Sequence, residues 1–219
     1  MEIEVTEPGE HAATSRAPKH VGRRALFGAG AGGAALSLLP LLAGRAGASA
    51  TTDDSTTTTA PPQRPTDDDI ALLGFAQQVE LTAQALYDEA LAVSGWSDSQ
   101  AVVISFIREA HQAYAQSISG LLGRDAPGTR SDTLFEGLRG DFSGDVAGVL
   151  AAATSLESSA VATHGEVLSK LRGTDGAALI ASIQNNEARF GTVLLDVAGA
   201  TDDAVLLVDK ENESLVGKG

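Results

Sequence analysis

The sequence predicts an all-α protein built as a bundle of four long antiparallel helices. From Thr66 onward, apolar residues recur at the three- and four-residue spacing of a helix, with almost no strand-like alternation. Four segments of this kind each run for roughly 24 to 28 residues and have one apolar face. Short turns join the first segment to the second and the third to the fourth, so each of these pairs is predicted to be antiparallel.

The ends of the four helices can be placed from their flanking residues. The first begins at Thr66, an N-cap followed by three aspartates that the helix dipole favours, and ends by Gly95. The other three are "SDSQAVVISFIREAHQAYAQSISGLLG", "DVAGVLAAATSLESSAVATHGEVLSKLRG" and "TDGAALIASIQNNEARFGTVLLDVAGA". One long crossover, with a short helix predicted around 132–138, separates helices 2 and 3. This single crossover distinguishes the topology from a simple up-and-down bundle.

The first fifty residues have the pattern of a targeting segment. Arg23 and Arg24 precede an apolar run of about twenty residues, and the small-residue sequence "ASA" follows at 48–50. Paired arginines before a Gly-rich apolar run resemble a twin-arginine export signal. The run is also just long enough to span a bilayer as an uncleaved anchor. We therefore assign 1–50 to an export signal or an N-terminal anchor.

This assignment predicts an exported, extracytoplasmic protein, either secreted or associated with the cell envelope. Membrane contact is then expected only through the N-terminal segment, and only if it is not cleaved. Residues 51–65 form a Thr/Pro-rich linker, residues 66–199 the bundle and residues 200–219 an acidic C-terminal tail. The sequence leaves open whether the tail docks through its apolar Leu206–Val208 run, and whether the bundle forms a homo-oligomer.

Composition excludes several classes of function. The formal net charge is −14 and no Lys/Arg cluster is present, so nucleic acid is not expected as a partner. Cysteine is absent, which excludes disulfides, thiol catalysis, iron–sulfur clusters and zinc–thiolate sites. No Gly-rich phosphate loop, G-x-S-x-G elbow or H-E-x-x-H motif occurs. A metal ion would have to bind to carboxylate, imidazole, phenol or water.

Each predicted helix places one strongly polar residue near its midpoint on the apolar face. These residues are Glu80, His111, Glu157 and Glu187. Because the midpoints of antiparallel helices lie at a common depth, we expect the four side chains to meet. An unpaired buried charge costs several kcal/mol, so three carboxylates there would need either shared protons or a bound cation.

Residues 66–199 resemble the ferritin-like superfamily, in particular exported bacterial ferritin-like domain proteins. The resemblance rests on the topology and on "FAQQVELTAQALYDEA", "REAHQAYAQSISGLLG" and "SLESSAVATHGEVL". In metal-binding members, helices 1 and 3 each provide a Glu, helices 2 and 4 each provide Glu-x-x-His, and two metal ions lie between them. The resemblance assigns Glu80 and Glu157 to the two single acids.

The two Glu-x-x-His positions differ from that family pattern. Helix 2 has "HQAY", with His111 in the Glu position and Tyr114 in the His position. Helix 4 has "EARF", which keeps Glu187 but has Phe190 where the second His is expected. The resemblance therefore implies a degenerate centre, with Glu80, His111, Glu157, Glu187 and Tyr114 as candidate metal ligands.

Such a ligand set suits one Fe, Mn or Zn ion, or no metal at all, better than a redox-active pair of metals. Three functions stay open. The protein is an exported bundle that is non-catalytic or binds a single metal at this degenerate centre, a metalloenzyme of ferroxidase or catalase type using Tyr114 as a ligand, or a metal-free structural or interaction module.

The histidine of helix 3 is expected outside this centre. His164 lies on the same face as Glu157 but seven residues further along, about 10 Å along the helix axis. We expect it to be a hydrogen-bonded histidine of the helix seam, with Tyr87 as a candidate partner.

Overall fold

The computed structural model of this protein describes residues 60–202 and 212–219. Within these residues there are five α-helices, two short 3₁₀ turns and no β-strand. The helices are α1 (Asp67–Ala92), α2 (Asp98–Leu122), α3 (Asp132–Leu138), α4 (Val146–Lys170) and α5 (Thr174–Val197). The all-α prediction is confirmed, including the short helix in the crossover. The predicted export signal or anchor, residues 51–59 of the linker and the Leu206–Val208 run lie outside the described residues.

The four long helices form a bundle in which every neighbouring pair is antiparallel. Short turns pair α1 with α2 and α4 with α5, and the two pairs meet through α1 against α4 and α2 against α5. At one end of the bundle, the Gln100 side chain at the start of α2 donates to the Val197 carbonyl at the end of α5 (3.1 Å). At the other end, Asp69 at the start of α1 accepts from the Arg172 amide just after α4 (2.8 Å).

The connection between α2 and α4 runs along the whole length of α1. The Gly128 amide donates to the Gln77 side chain (2.9 Å), and the Ser131 amide donates to Thr82 Oγ1 (3.1 Å). Further along, Phe142 packs edge-on against Tyr87 of α1, with ring centroids 6.0 Å apart. Because these contacts progress from one end of α1 towards the other, α4 begins at the end where α1 finishes. The predicted long crossover is confirmed.

The start of α5 is capped by residues that the sequence places in the linker. The Thr174 amide donates to the Pro62 carbonyl (3.0 Å), and the Asp175 amide donates to the Gln63 carbonyl (2.9 Å). The first amides of a helix have no partner inside the helix, so these two carbonyls satisfy groups that would otherwise need water. This part of the linker therefore belongs to the packed bundle.

The apolar core consists of two main clusters along the bundle axis. One cluster contains Leu86, Ile104, Ile107, Phe142, Val149 and Leu194 among others, and the second contains Leu73, Ala76, Ile118, Val167, Ile180 and Ile183. By length and composition alone, α4 is apolar enough to cross a membrane, a test that core helices also pass. Here α4 packs against α1 and α5 and contributes residues to both clusters.

We predict that Asp69→Ala destabilises the bundle by about 2–4 kcal/mol, because buried carboxylate hydrogen bonds are lost and their donors are left unpaired. The Asp69 carboxylate is fully buried and accepts from the amides of Thr66, Arg172 and Gly173 at 2.8–2.9 Å. Urea unfolding measures the loss. The matched control is Asp68→Ala, since Asp68 is 72% exposed and pairs with the exposed Arg172 side chain. Equal losses for the two variants would contradict this interpretation.

Candidate metal centre

Three glutamates and two histidines lie completely buried in the middle of the bundle, each with 0% of its surface exposed. They are Glu80 from α1, His111 from α2, Glu157 and His164 from α4, and Glu187 from α5. Every long helix contributes to the group. Four of the five are the residues that the sequence analysis places at the helix midpoints.

The five side chains form a chain in which carboxylates and imidazoles alternate. His111 joins Glu80 through Nδ1 and Oε2 (2.7 Å) and Glu157 through Nε2 and Oε1 (3.1 Å). His164 joins Glu187 through Nδ1 and Oε2 (2.7 Å), and its Nε2 lies 3.1 Å from Oε1 of Glu80. The order is therefore Glu157, His111, Glu80, His164, Glu187, with Glu80 in the central position between the two histidines.

Tyr87 extends this chain at the Glu157 end. Its hydroxyl donates to Oε1 of Glu157 (2.5 Å), and its ring stacks on His111 with centroids 5.4 Å apart. Burial and the neighbouring Glu157 carboxylate raise the pKa of Tyr87 well above its usual value, so the phenol keeps its proton. The expectation that Tyr87 pairs with His164 is wrong, because it pairs with Glu157.

The expectation that His164 lies outside the centre is also wrong. The centre extends along the bundle axis instead of gathering at one depth, and the two oxygens of Glu80 face different histidines. The offset of about 10 Å between His164 and Glu157 is thus spanned by intervening side chains from α1 and α2. The seven-residue spacing did indicate that both residues share a face of α4. That spacing does not show that the centre extends along the bundle axis far enough to include His164.

Four buried atoms of the centre have no hydrogen-bond partner in the described part of the chain. They are Oε1 of Glu80, Nε2 of His164, Oε1 of Glu187 and Oε2 of Glu157. Oε1 of Glu80 and Nε2 of His164 are close, but they are not oriented as a hydrogen bond. A buried polar atom without a partner costs about 1–3 kcal/mol. The arrangement therefore favours a further group that satisfies these atoms.

Three of these residues, Glu80, His164 and Glu187, could hold a metal ion. One candidate ligand atom from each lies within 4.8 Å of the other two. Ligands bound at about 2.1 Å to one cation lie roughly 3.0–3.4 Å apart, depending on geometry. The 3.1 Å between Glu80 Oε1 and His164 Nε2 fits this range. One imidazole and two carboxylates suit a hard or borderline divalent ion such as Mn, Fe or Zn.

Two aromatic rings lie beside His111. Phe190 stacks on Tyr114, with centroids 6.4 Å apart, and both rings meet His111 edge-on at 6.4 and 6.2 Å. Tyr114 is half-buried, and its hydroxyl interacts with Asn186. The phenol thus lies beside the centre, and its role as a metal ligand stays a prediction.

The centre is electrically neutral when both histidines are protonated and one of its three carboxyl groups also keeps a proton. Burial raises the pKa of Glu80, but the hydrogen bond from His111 and the nearby charge of His164 outweigh this and lower it to about 2. Burial acts to lower the pKa of His164, but Glu187 and Glu80 raise it to about 10, and Glu157 and Glu80 hold that of His111 well above its usual value. Burial raises the pKa of Glu187 to about 7, although the charge of His164 opposes the rise. Two imidazolium ions then balance two carboxylates, and the third carboxyl is neutral at lower pH.

Comparison with known families finds one match. Residues 68–200, more than half of the chain, match the family described as "Ferritin-like domain". The matched region contains every residue of the buried centre. No curated protein matches the chain, and no solved structure matches it.

We predict that the chelator-treated chain loses stability as pH rises from about 4.5 to about 10. Glu187, with its pKa raised from 4.5 to about 7, and His164, with its pKa raised from 6.5 to about 10, both hold protons more tightly in the folded state. The stability that they contribute is therefore present at lower pH and is lost as pH rises through those values. The lowered pKa of Glu80 acts in the opposite direction, below pH 4.5. Urea unfolding at a series of pH values measures the profile.

The control for this profile is Glu187→Gln, which resembles the protonated acid. It should remove the loss between pH 4.5 and 7 and, because Glu187 is a main cause of the raised pKa of His164, reduce but not abolish the loss above pH 6.5, to which His111 also contributes. A flat or rising profile between pH 6.5 and 10 in the chelated protein would show that neither histidine is held as an imidazolium ion.

Proposed function

Because this chain belongs to the ferritin-like domain family, we propose that its buried centre binds a single divalent metal ion, Fe, Mn or Zn, through Glu80, His164 and Glu187. Two observations carry the proposal: one candidate ligand atom from each of these residues lies within 4.8 Å of the other two, and each residue has a buried polar atom with no hydrogen-bond partner among the described residues. A cation held by these three residues would satisfy buried polar atoms that otherwise lack a partner.

Charge balance supports the same three residues. A divalent cation neutralises the carboxylates of Glu80 and Glu187 when His164 is a neutral ligand. The imidazolium of His111 then neutralises Glu157, so no net charge is left buried in either half. Metal binding displaces protons from His164 and Glu187, so affinity should increase with pH.

The other half of the centre is poorly suited to a second metal ion. Both ring nitrogens of His111 are already engaged, by Glu80 and by Glu157, and Tyr87 donates to the Glu157 oxygen that faces His111. The rings of Phe190 and Tyr114 lie against His111 from the side. These contacts favour a non-catalytic protein with one metal over a two-metal oxidase of ferroxidase or catalase type.

A metal-free structural module is the second candidate. The alternating chain from Glu157 to Glu187 is electrically neutral without metal once Glu187 carries a proton. In that case, the paired groups would hold the four helices in one register. Metal analysis of the purified chain separates the two candidates, because only the first expects a bound ion.

We predict that His164→Gln abolishes metal binding and that His111→Gln retains about one metal ion per chain. The two histidines are a matched pair, since both are fully buried and each contacts one oxygen of Glu80. Elemental analysis gives the metal content, and thermal unfolding with added Mn, Fe or Zn gives the stabilisation. At a metal concentration a hundred times Kd, that stabilisation is about 2.7 kcal/mol. Two ions per chain in the native protein, or equal metal loss in both variants, would refute a single ion at Glu80, His164 and Glu187.

We further propose that the bundle acts outside the cytoplasm. Support comes from Arg23 and Arg24, the apolar run that follows them and the small residues at 48–50. A twin-arginine route carries folded proteins, so a metal ion bound in the cytoplasm could travel inside the bundle.

Replacing Arg23 and Arg24 with lysine should block export in a bacterial host that has a twin-arginine pathway. The substitution keeps both positive charges and removes the paired arginines that such a signal requires. Cell fractionation measures the result, and Arg16→Lys is the control because it lies outside the pair. Unchanged export of the double variant would show that this signal is not in use.

A further inference from the structure

The outward side of α2 and α5 carries an exposed apolar stripe. We call the residues Val102, Phe106, Glu109 and Ala113 of α2, with Ala188 and Arg189 of α5, the α2–α5 face, and all six are exposed. The α2 residues follow a spacing of four, three and four, so they lie in one line along the helix. Val102 and Phe106 are large apolar side chains that are 68% and 62% exposed.

Phe106 is held in position by neighbours beneath it. Its ring packs edge-on against Phe190 of α5, with centroids 6.1 Å apart, and Phe190 stacks on Tyr114. These rings form a continuous aromatic column from the surface to His111. An isolated exposed Phe needs no explanation, but one fixed at the top of a packed column presents a rigid apolar contact.

The opposite side of the bundle is covered by the chain itself. The crossover lies along α1, and the C-terminal residues pack beside it, where Leu215 is buried with Val79 and Leu134. The Leu215 amide also donates to Thr163 Oγ1 on α4 (2.9 Å). In the part of the chain that the structure describes, nothing similar covers Val102 and Phe106.

We propose that a second copy of this chain covers the α2–α5 face through a two-fold symmetric contact. The chain has a net charge of −14, so two copies repel each other except where acidic residues are few. The α2–α5 face has one acid, Glu109, and one base, Arg189. In a two-fold contact, the same patch faces itself, so the acid of each copy can approach the base of the other. Phe106 then lies in the apolar middle of the contact.

Cross-linking of the full chain tests this dimer, because the sequence has no cysteine and a single introduced one reports a single position. Ala113 lies about 10 Å along α2 from Phe106, so the two copies of it lie up to about 21 Å apart when Phe106 is in the middle of the contact. Ala113→Cys, treated at micromolar protein concentration with a flexible bismaleimide that spans this distance, should give a dimer on a denaturing gel. Adding Phe106→Glu should reduce the cross-linked fraction on the order of tenfold, since loss of an interface anchor weakens binding by at least that factor. Ala151→Cys, an exposed position on α4, is the matched control and should give little dimer.

Three results would overturn the proposal. The first is no cross-link at Ala113→Cys, as expected if residues 25–44 or another protein cover the face. The second is a cross-link that persists with Phe106→Glu, and the third is equal cross-linking at Ala151→Cys. Circular dichroism and metal content of Phe106→Glu should match those of the native chain. The proposals of a dimer and of a metal site can therefore be refuted separately.

Discussion

The carboxylate of Glu80 is the contact on which the rest of this structure depends. Its Oε2 lies 2.7 Å from His111 and its Oε1 lies 3.1 Å from His164, so one side chain of α1 faces both α2 and α4. All three residues are fully buried, and a shift of any helix would leave a charged group without a partner. The polar centre therefore specifies how the helices pack, and the apolar clusters keep water from it.

The two oxygens of Glu80 belong to different halves of the centre. On the Oε2 side, Glu80, His111, Glu157 and Tyr87 form a run of hydrogen bonds. On the Oε1 side, Oε1 of Glu80, Nε2 of His164 and Oε1 of Glu187 have no hydrogen-bond partner among the described residues, although His164 Nδ1 is bonded to Oε2 of Glu187. This asymmetry is the physical basis for proposing one metal ion in a fold whose relatives can hold two. The aromatic column of Phe106, Phe190 and Tyr114 connects the α2–α5 face to His111, which lies in the hydrogen-bonded half of the centre.

The fold could be predicted from the sequence because helical period, short turns and N-cap residues are local signals. Four members of the centre could be predicted because a polar residue at the middle of an apolar stripe is conspicuous. His164 was misplaced because its partners come from α1 and α5, whose side chains meet α4 at a depth that spacing along one helix does not show. The capping of α5 by Pro62 and Gln63 was missed for a similar reason, since Thr/Pro-rich composition carries no information on tertiary contacts.

The most direct measurement of the central claim is anomalous X-ray diffraction from crystals of the manganese-loaded protein. The account predicts a single anomalous peak between Glu80, His164 and Glu187, with His111 still bonded to Glu80 and Glu157. Two peaks, or one peak next to His111 and Glu157, would contradict it, because the half of the centre whose atoms are hydrogen-bonded to one another would then bind metal. Absence of any peak at saturating manganese would equally contradict it.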